Sequence, residues 1–215
     1  MENIISVTNA TKYFGEQLIF EGVNINFEKG KIYGLVGRNG SGKTVLMKCI
    51  CGLVPLTSGE ITVRDKVLGK DIDIPENVGI IIENPGFLPN YSGMNNLKLL
   101  ALIKNKIDKK HIENTIRKVG LDPHSKKHVG KYSLGMRQRL GLAQAIMEDP
   151  EIYVLDEPMN GLDKSGVAEI RKVLEEIKES GKTIIMATHI MEDVRLLCDT
   201  VYLVEDGNFK IVEEI

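Results

Sequence analysis

Hydrophobic residues fall along this chain in two rhythms. Val23, Ile25 and Phe27 alternate with Asn24 and Asn26, the period of a strand with one buried face, and residues 3 to 8 supply an antiparallel partner. Elsewhere the apolar residues are continuous: Lys31 to Val36 reads as a short apolar strand, and Val78 to Ile82, Ile152 to Leu155 and Thr183 to Ala187 read as buried strands. Helical spacing takes over in between. It runs from Val45 to Cys51, from about 93 to 120 through Leu97, Leu100, Ile103, Ile112, Ile116 and Val119, and from Ser133, a predicted N-cap, to Met147. It returns at 164 to 180, where Val167, Ile170, Val173, Leu174 and Ile177 form one stripe and Gly181 marks the end. Thr11 to Gly15, Thr57 to Glu60 and Asn84 to Pro89 read as loops, and Asp206-Gly207-Asn208 as a hairpin turn.

Strands alternating with helices predict an α/β fold with a mainly parallel core sheet and antiparallel strands on the N-terminal side. The helix-rich stretch at 84 to 148 reads as a helical subdomain inserted into a core made of 1 to 83 and 149 to 215. The whole is one domain, as expected for 215 residues.

Composition narrows the setting. Hydrophobic residues at 42% and charged residues at 27% are ordinary for a globular protein, and no apolar run approaches the ~20 residues of a membrane span. The N-terminus lacks the apolar core of a signal peptide, so a cytosolic chain is predicted. A net charge of −2 argues against nucleic acid as a partner. The basic stretch from Lys104 to Lys131, with Lys106, Lys109, Lys110, Arg117, Lys118, Lys126 and Lys127, reads as a solvated helical face before a docking surface. Three cysteines are too few for a disulfide framework. Cys49 and Cys51, two apart on a predicted helix, are expected on opposite faces as small apolar packers.

Chemistry concentrates at Gly37-Arg38-Asn39-Gly40-Ser41-Gly42-Lys43-Thr44, which fills the P-loop pattern between a strand and a helix. The glycines let backbone N–H groups converge on phosphate oxygens, the helix N-terminus adds positive charge, and Lys43 reaches the terminal phosphates. Thr44 can offer its hydroxyl to Mg²⁺. Asp156, ending an apolar strand, can hold the same metal, and Glu157 can accept a proton from water attacking a γ-phosphate. Each feature alone has a bland alternative, a Gly-rich turn or a polar strand end; together they point to nucleotide hydrolysis.

With these motifs in hand, the chain resembles the ATP-binding subunits of ABC transporters over essentially its whole length. Tyr132-Ser133-Leu134-Gly135-Met136-Arg137-Gln138-Arg139 is similar to the family's signature motif, Asn160-Gly161-Leu162-Asp163 to its D-loop, and His189 to its switch histidine. Phe14 falls where the family stacks an aromatic ring on adenine. The resemblance implies a P-loop NTPase fold of ABC type, ATP and Mg²⁺ as ligands, and a composite site in which two domains pair head to tail. The P-loop of one copy, or of a second ATP-binding subunit, would face Ser133 and Gly135 of the other. Asp163 would help hold the seam, and His189 would bond the γ-phosphate or the attacking water. Separate membrane permease subunits, at the cytoplasmic face of a bacterial membrane, would be driven without this chain touching the transported molecule.

Three positions depart from the family pattern. Glu83 stands where Gln is usual, implying an extra carboxylate beside the metal and a link to the permease, and Leu134 and Met136 replace a Gly and a Gln. These departures resemble those of the bacitracin, lantibiotic and multidrug exporter subfamily. Phe87-Leu88-Pro89 would lie on the permease-facing surface or tuck into the subdomain core. A soluble ABC ATPase of repair, translation or cluster assembly and an unrelated P-loop kinase or GTPase are the alternatives.

Overall fold

The computed structural model describes residues 2–83, 86–104 and 107–212, with Lys104 described by its backbone only. Asn84 and Pro85 of the expected loop, and Lys106 of the basic stretch, lie outside the described residues.

The N-terminal strands are longer than their alternating cores suggest. β1 (Asn3–Phe14) and β2 (Gln17–Glu28) form an antiparallel pair that pairs Phe14 with Gln17 around a turn at Gly15 and Glu16. The expected aromatic loop at 11 to 15 is therefore mostly the end of a strand. Register shifts on both sides of Ala10 explain why the simple alternation breaks there: irregular pairing reorients the strand without ending it. β4 (Ser58–Val63) pairs with the other edge of β1, so the expected loop at Thr57 to Glu60 is also mostly strand. With β5 (Lys66–Val67) these make a four-stranded antiparallel sheet ordered β2-β1-β4-β5.

The second sheet contains β3 (Ile32–Val36), β6 (Val78–Ile81), β7 (Ile152–Asp156), β8 (Thr183–Ala187), β9 (Thr200–Glu205) and β10 (Asn208–Val212), in the order β10-β9-β3-β8-β7-β6. Only β10 runs antiparallel to its neighbour. Side chains of β7 alternate between two cores. Tyr153 and Leu155 join one with helix residues, and Ile152 and Val154 join the other beneath the antiparallel sheet. That two-sided burial is why these strands lack a polar face.

Among the described residues six α-helices surround the sheet. α1 (Lys43–Ile50) follows the P-loop, and α2 (Gly93–Lys104), α3 (Lys109–Lys118) and α4 (Leu134–Ile146) succeed one another before β7. α5 (Lys164–Glu179) and α6 (Met191–Leu197) follow β7 and β8. The single helical run expected at 93 to 120 is two helices, because Asp108 caps a new one by accepting from the His111 backbone N–H at 2.7 Å. Ser133 caps α4 as expected, accepting from Met136 N. α5 buries Ile170, Val173, Leu174 and Ile177, each such side chain contributing roughly 1.5–3 kcal/mol.

Cys49 and Cys51 do not face opposite ways. α1 ends at Ile50, which takes Cys51 off the helical repeat, and both thiols enter the same core. Burial pushes their pKa values up to about 11 and about 12.

Candidate active site

The carboxyl ends of the parallel strands converge on one edge of the sheet, where α/β proteins bind ligands. The P-loop leaves β3 there, Glu83 follows β6, Asp156 and Glu157 end β7, and His189 follows β8. A cleft of about 580 Å³ at this edge is lined by Asn39, Gly40, Gly42, Lys43, Thr44, Glu83, Asp156 and Glu157, with Gln17 and Ile19 of β2 and Leu134 and Gln138 of α4.

The loop is shaped by its glycines. Gly40 and Gly42 have φ of +82° and +108°, left-handed backbone that side-chain-bearing residues rarely adopt. At Gly37 the constraint is space, since an added Cβ would sit 2.2 Å from the Val204 carbonyl oxygen of β9. Ser41 Oγ is buried with no hydrogen-bond partner, an unused polar atom within the cradle. Lys43 folds back to donate to the carbonyl oxygens of Gly37 at 2.7 Å and Arg38 at 2.9 Å. Burial lowers its pKa, while Glu157 and Asp156 act in the opposite direction. A buried ammonium held only by carbonyls suits an anion arriving beside it.

Thr44 Oγ1 donates to Asp156 Oδ2 at 2.7 Å. A hydroxyl and a carboxylate side by side are hard oxygen donors of the kind Mg²⁺ takes, so the residues present fit that ion. Glu157, one residue on, has φ +48°, as Glu83 has +60°. Both strand-end glutamates thus hold backbone conformations that cost energy for a non-glycine residue. Glu157 Oε1 lies 2.8 Å from His189 Nδ1, and its carboxylate is three-quarters covered while the histidine is largely exposed. Glu83 is ion-paired with Lys48 of α1, Oε1 to Nζ 2.5 Å.

The remaining expected residues stand around this centre. Phe14, at 48% exposure, has the ammonium of the buried Lys12 at 4.7 Å from its ring centroid. Lys12 in turn donates to the Pro55 carbonyl at 2.7 Å. Arg38 and Gly37 line a second cavity of about 530 Å³ together with His189, Glu205 and Asp206. Ser133 is exposed at the start of α4, and a Cβ added to Gly135 would meet the Gly161 carbonyl oxygen at 2.7 Å. Asp163 caps α5, accepting from Gly166 N at 3.0 Å, and that bond draws its carboxyl below the usual range. Phe87 packs against the helical core, leaving Leu88 as the exposed apolar residue of its loop.

Sequence reasoning had not singled out Lys48 or the roles of Gln17 and Gln138 in the cleft wall. Leu134 and Gln138 are four apart on α4, and that spacing was the available signal once Leu134 was placed at the site.

The ABC transporter family profile matches residues 20–160, more than half of the chain. An uncharacterized ABC transporter ATP-binding protein of Bacillus subtilis, YybJ, is 43% identical over 99% of this chain and 97% of its own length. The bacitracin transport ATP-binding protein BcrA of Enterococcus faecalis is 40% identical, covering 100% of this chain and 70% of that protein. The lantibiotic transport ATP-binding protein SrtF of Streptococcus pyogenes is 36% identical over 98% and 91%. Among solved structures, cbiO1 of Clostridium perfringens, part of the ABC transporter complex cbiONQ, superposes with a TM-score of 0.82 at 28% identity, covering 98% of this chain and 88% of that one. The dimeric, ADP- and phosphate-bound ATP-binding cassette MJ0796 superposes at 0.86 with 22% identity, covering 98% of this chain and 100% of that one, and bears on the fold alone. A phosphate cradle, a hydroxyl–carboxylate pair and a glutamate on one sheet edge thus occur in a chain that belongs to the ABC transporter family, as an ATP-binding and ATP-hydrolysing subunit.

Proposed function

We propose that this subunit drives export of an antimicrobial peptide or drug, hydrolysing ATP in a composite site shared by two ATP-binding subunits. The single observation that carries the site assignment is the Thr44–Asp156 contact at 2.7 Å with Glu157 on the next residue, all lining the cleft that holds Lys43. The names of the bacitracin and lantibiotic relatives support the transported class.

In this reading the N–H groups of residues Arg38 to Thr44 cradle the ATP phosphates and Lys43 exchanges its carbonyl partners for phosphate oxygens. Phe14 stacks on adenine. Thr44 and Asp156 would hold Mg²⁺, with Glu83 a further carboxylate once free of Lys48; when bound, the ion neutralises charge on the transferring phosphoryl group. Glu157 takes a proton from the attacking water at Oε1, the atom now beside His189 Nδ1. His189 orients that carboxylate and contacts the γ-phosphate.

Ser133 and Gly135 of the partner would close the site, with Asp163 near the seam. Residues 84 to 148 form a helical subdomain between the two parts of the core, 1 to 83 and 149 to 215. Its exposed Leu88, Leu99, Leu102 and Ile103 offer an apolar surface to a membrane permease subunit. Among the described residues no helix is long and apolar enough to cross a membrane. In this reading the permease supplies the spans and this chain works at their cytoplasmic face.

Co-expression with a membrane permease subunit of an ABC exporter encoded beside this chain tests the reading. Co-purification, with ATPase activity abolished by Ser133→Arg, is expected; a stable, fully active chain indifferent to both would overturn it.

A further inference from the structure

We propose that Gln138, on the signature helix, is a positioning residue for Glu157: it holds that residue's backbone in the conformation that places the carboxylate at the cleft. The proposal rests on the reading of Glu157 as general base.

Glu157 has φ +48°, a left-handed conformation that persists only when its neighbours over-determine it. Pro158 follows, which disfavours the right-handed helical alternative and leaves an extended backbone as the competitor. An extended Glu157 would carry its carboxylate elsewhere. Three hydrogen bonds oppose that change. Glu157 N donates to the Ala187 carbonyl at 2.9 Å, and the Glu157 carbonyl accepts from Asn160 N at 3.1 Å. The third comes from outside the strand end: Gln138 Nε2 donates to the same carbonyl at 2.9 Å, across nineteen residues of sequence.

Gln138 has no counterpart among the backbone bonds. The first two follow from the sheet and the turn after β7, so any sequence folding this way would make them. The third requires a side chain of this length carrying an N–H donor, on the face of α4 that also presents Leu134 to the cleft. Ser133 caps the same helix. A displacement of the helix end that faces the partner in the proposed dimer therefore reaches the backbone of Glu157 through one hydrogen bond. The helix thus links the site its own chain completes for the partner to the site its own P-loop builds.

Gln138→Met keeps the length and removes the donor, whereas Gln138→Lys, one bond longer and flexible, restores one. The full chain is assayed with ATP and Mg²⁺ for nucleotide affinity, kcat, the pH dependence of kcat, and Tm. Gln138→Met is expected to retain affinity and Tm, to lower kcat roughly 10- to 100-fold as a misplaced base does, and to displace the acidic limb of the pH profile. Gln138→Lys should recover most of the loss. Full kcat in Gln138→Met would overturn the proposal, as would a loss matched by equal losses in affinity and Tm, or a Gln138→Lys variant as slow as Gln138→Met. Full hydrolysis by Glu157→Gln in the same assay would instead sink the general-base reading, so the two failures are told apart.

Discussion

At the phosphate end of the cleft, polar groups other than Ser41 Oγ satisfy one another: Lys43 is bound by two carbonyls, Thr44 by Asp156, and Glu157 by His189. At the rim the same chain leaves capacity unused. Phe14 shows half its surface with one cation against its ring, and Ser133 accepts a bond from its own helix while its hydroxyl proton remains available. Under the proposed reading, the difference separates what one chain can complete from what needs a ligand base or a second copy. Phosphate chemistry is preorganised; closure is not.

That contrast breaks most visibly at Glu157. Glu157→Gln should lower hydrolysis roughly 10²- to 10⁴-fold while ATP still binds, as removal of a general base does; loss of binding instead would mean that the carboxylate serves the nucleotide cradle. Ser133→Arg comes next. It should abolish most ATPase activity and leave the nucleotide affinity of the isolated chain unchanged, because an exposed rim residue contributes nothing to its own P-loop; equilibrium binding beside turnover separates the two. Phe14→Ala should weaken ATP and ADP equally, about 5- to 150-fold for about 1–3 kcal/mol of stacking, measured by titration calorimetry. Unequal losses would put the ring near the phosphates.

Glu83→Gln should change the rate only a few-fold, because Lys48 already offsets the glutamate's charge; the sharper readout is the Mg²⁺ concentration for half-maximal activity, expected to rise if Glu83 also reaches the metal. The smallest effect is expected beneath the loop. With thiol pKa values raised by burial to about 11 and about 12, Cys49 and Cys51 hold well under about 1% thiolate at pH 8. A thiol reagent should therefore leave both unmodified until the chain unfolds, and fast labelling at pH 8 would show that the core at the C-terminal end of α1 opens.

The strands buried on both faces and the P-loop were legible because each is dictated locally, by β-branched runs and by left-handed glycines. The longer N-terminal hairpin was not. Its outer half is held by Ala10, Lys12 and the pairing with β4, contacts set by residues some fifty positions away that no local window contains. The site split in the same way. Lys43, Thr44, Asp156 and Glu157 come together because the parallel strands β3 and β7, with β8 between them, end on one edge. By contrast the Lys48 partner of Glu83 and the Gln138 partner of Glu157 depend on how helices lie over that edge. Cys51 was misplaced for want of one fact, the residue at which α1 stops.

Gly135 and Gly161 approach so closely that a methyl group on either would collide, with the Gly161 carbonyl oxygen in one case and Leu134 in the other. The start of the signature helix and the turn before α5 are thereby keyed together like cog and rack, with no clearance for one to slide past the other. Two copies coming together would meet through one stiff edge per chain in place of two loops that must each find their place. The entropy of ordering that edge has already been met in folding, so the encounter can be fast and its reversal after hydrolysis abrupt.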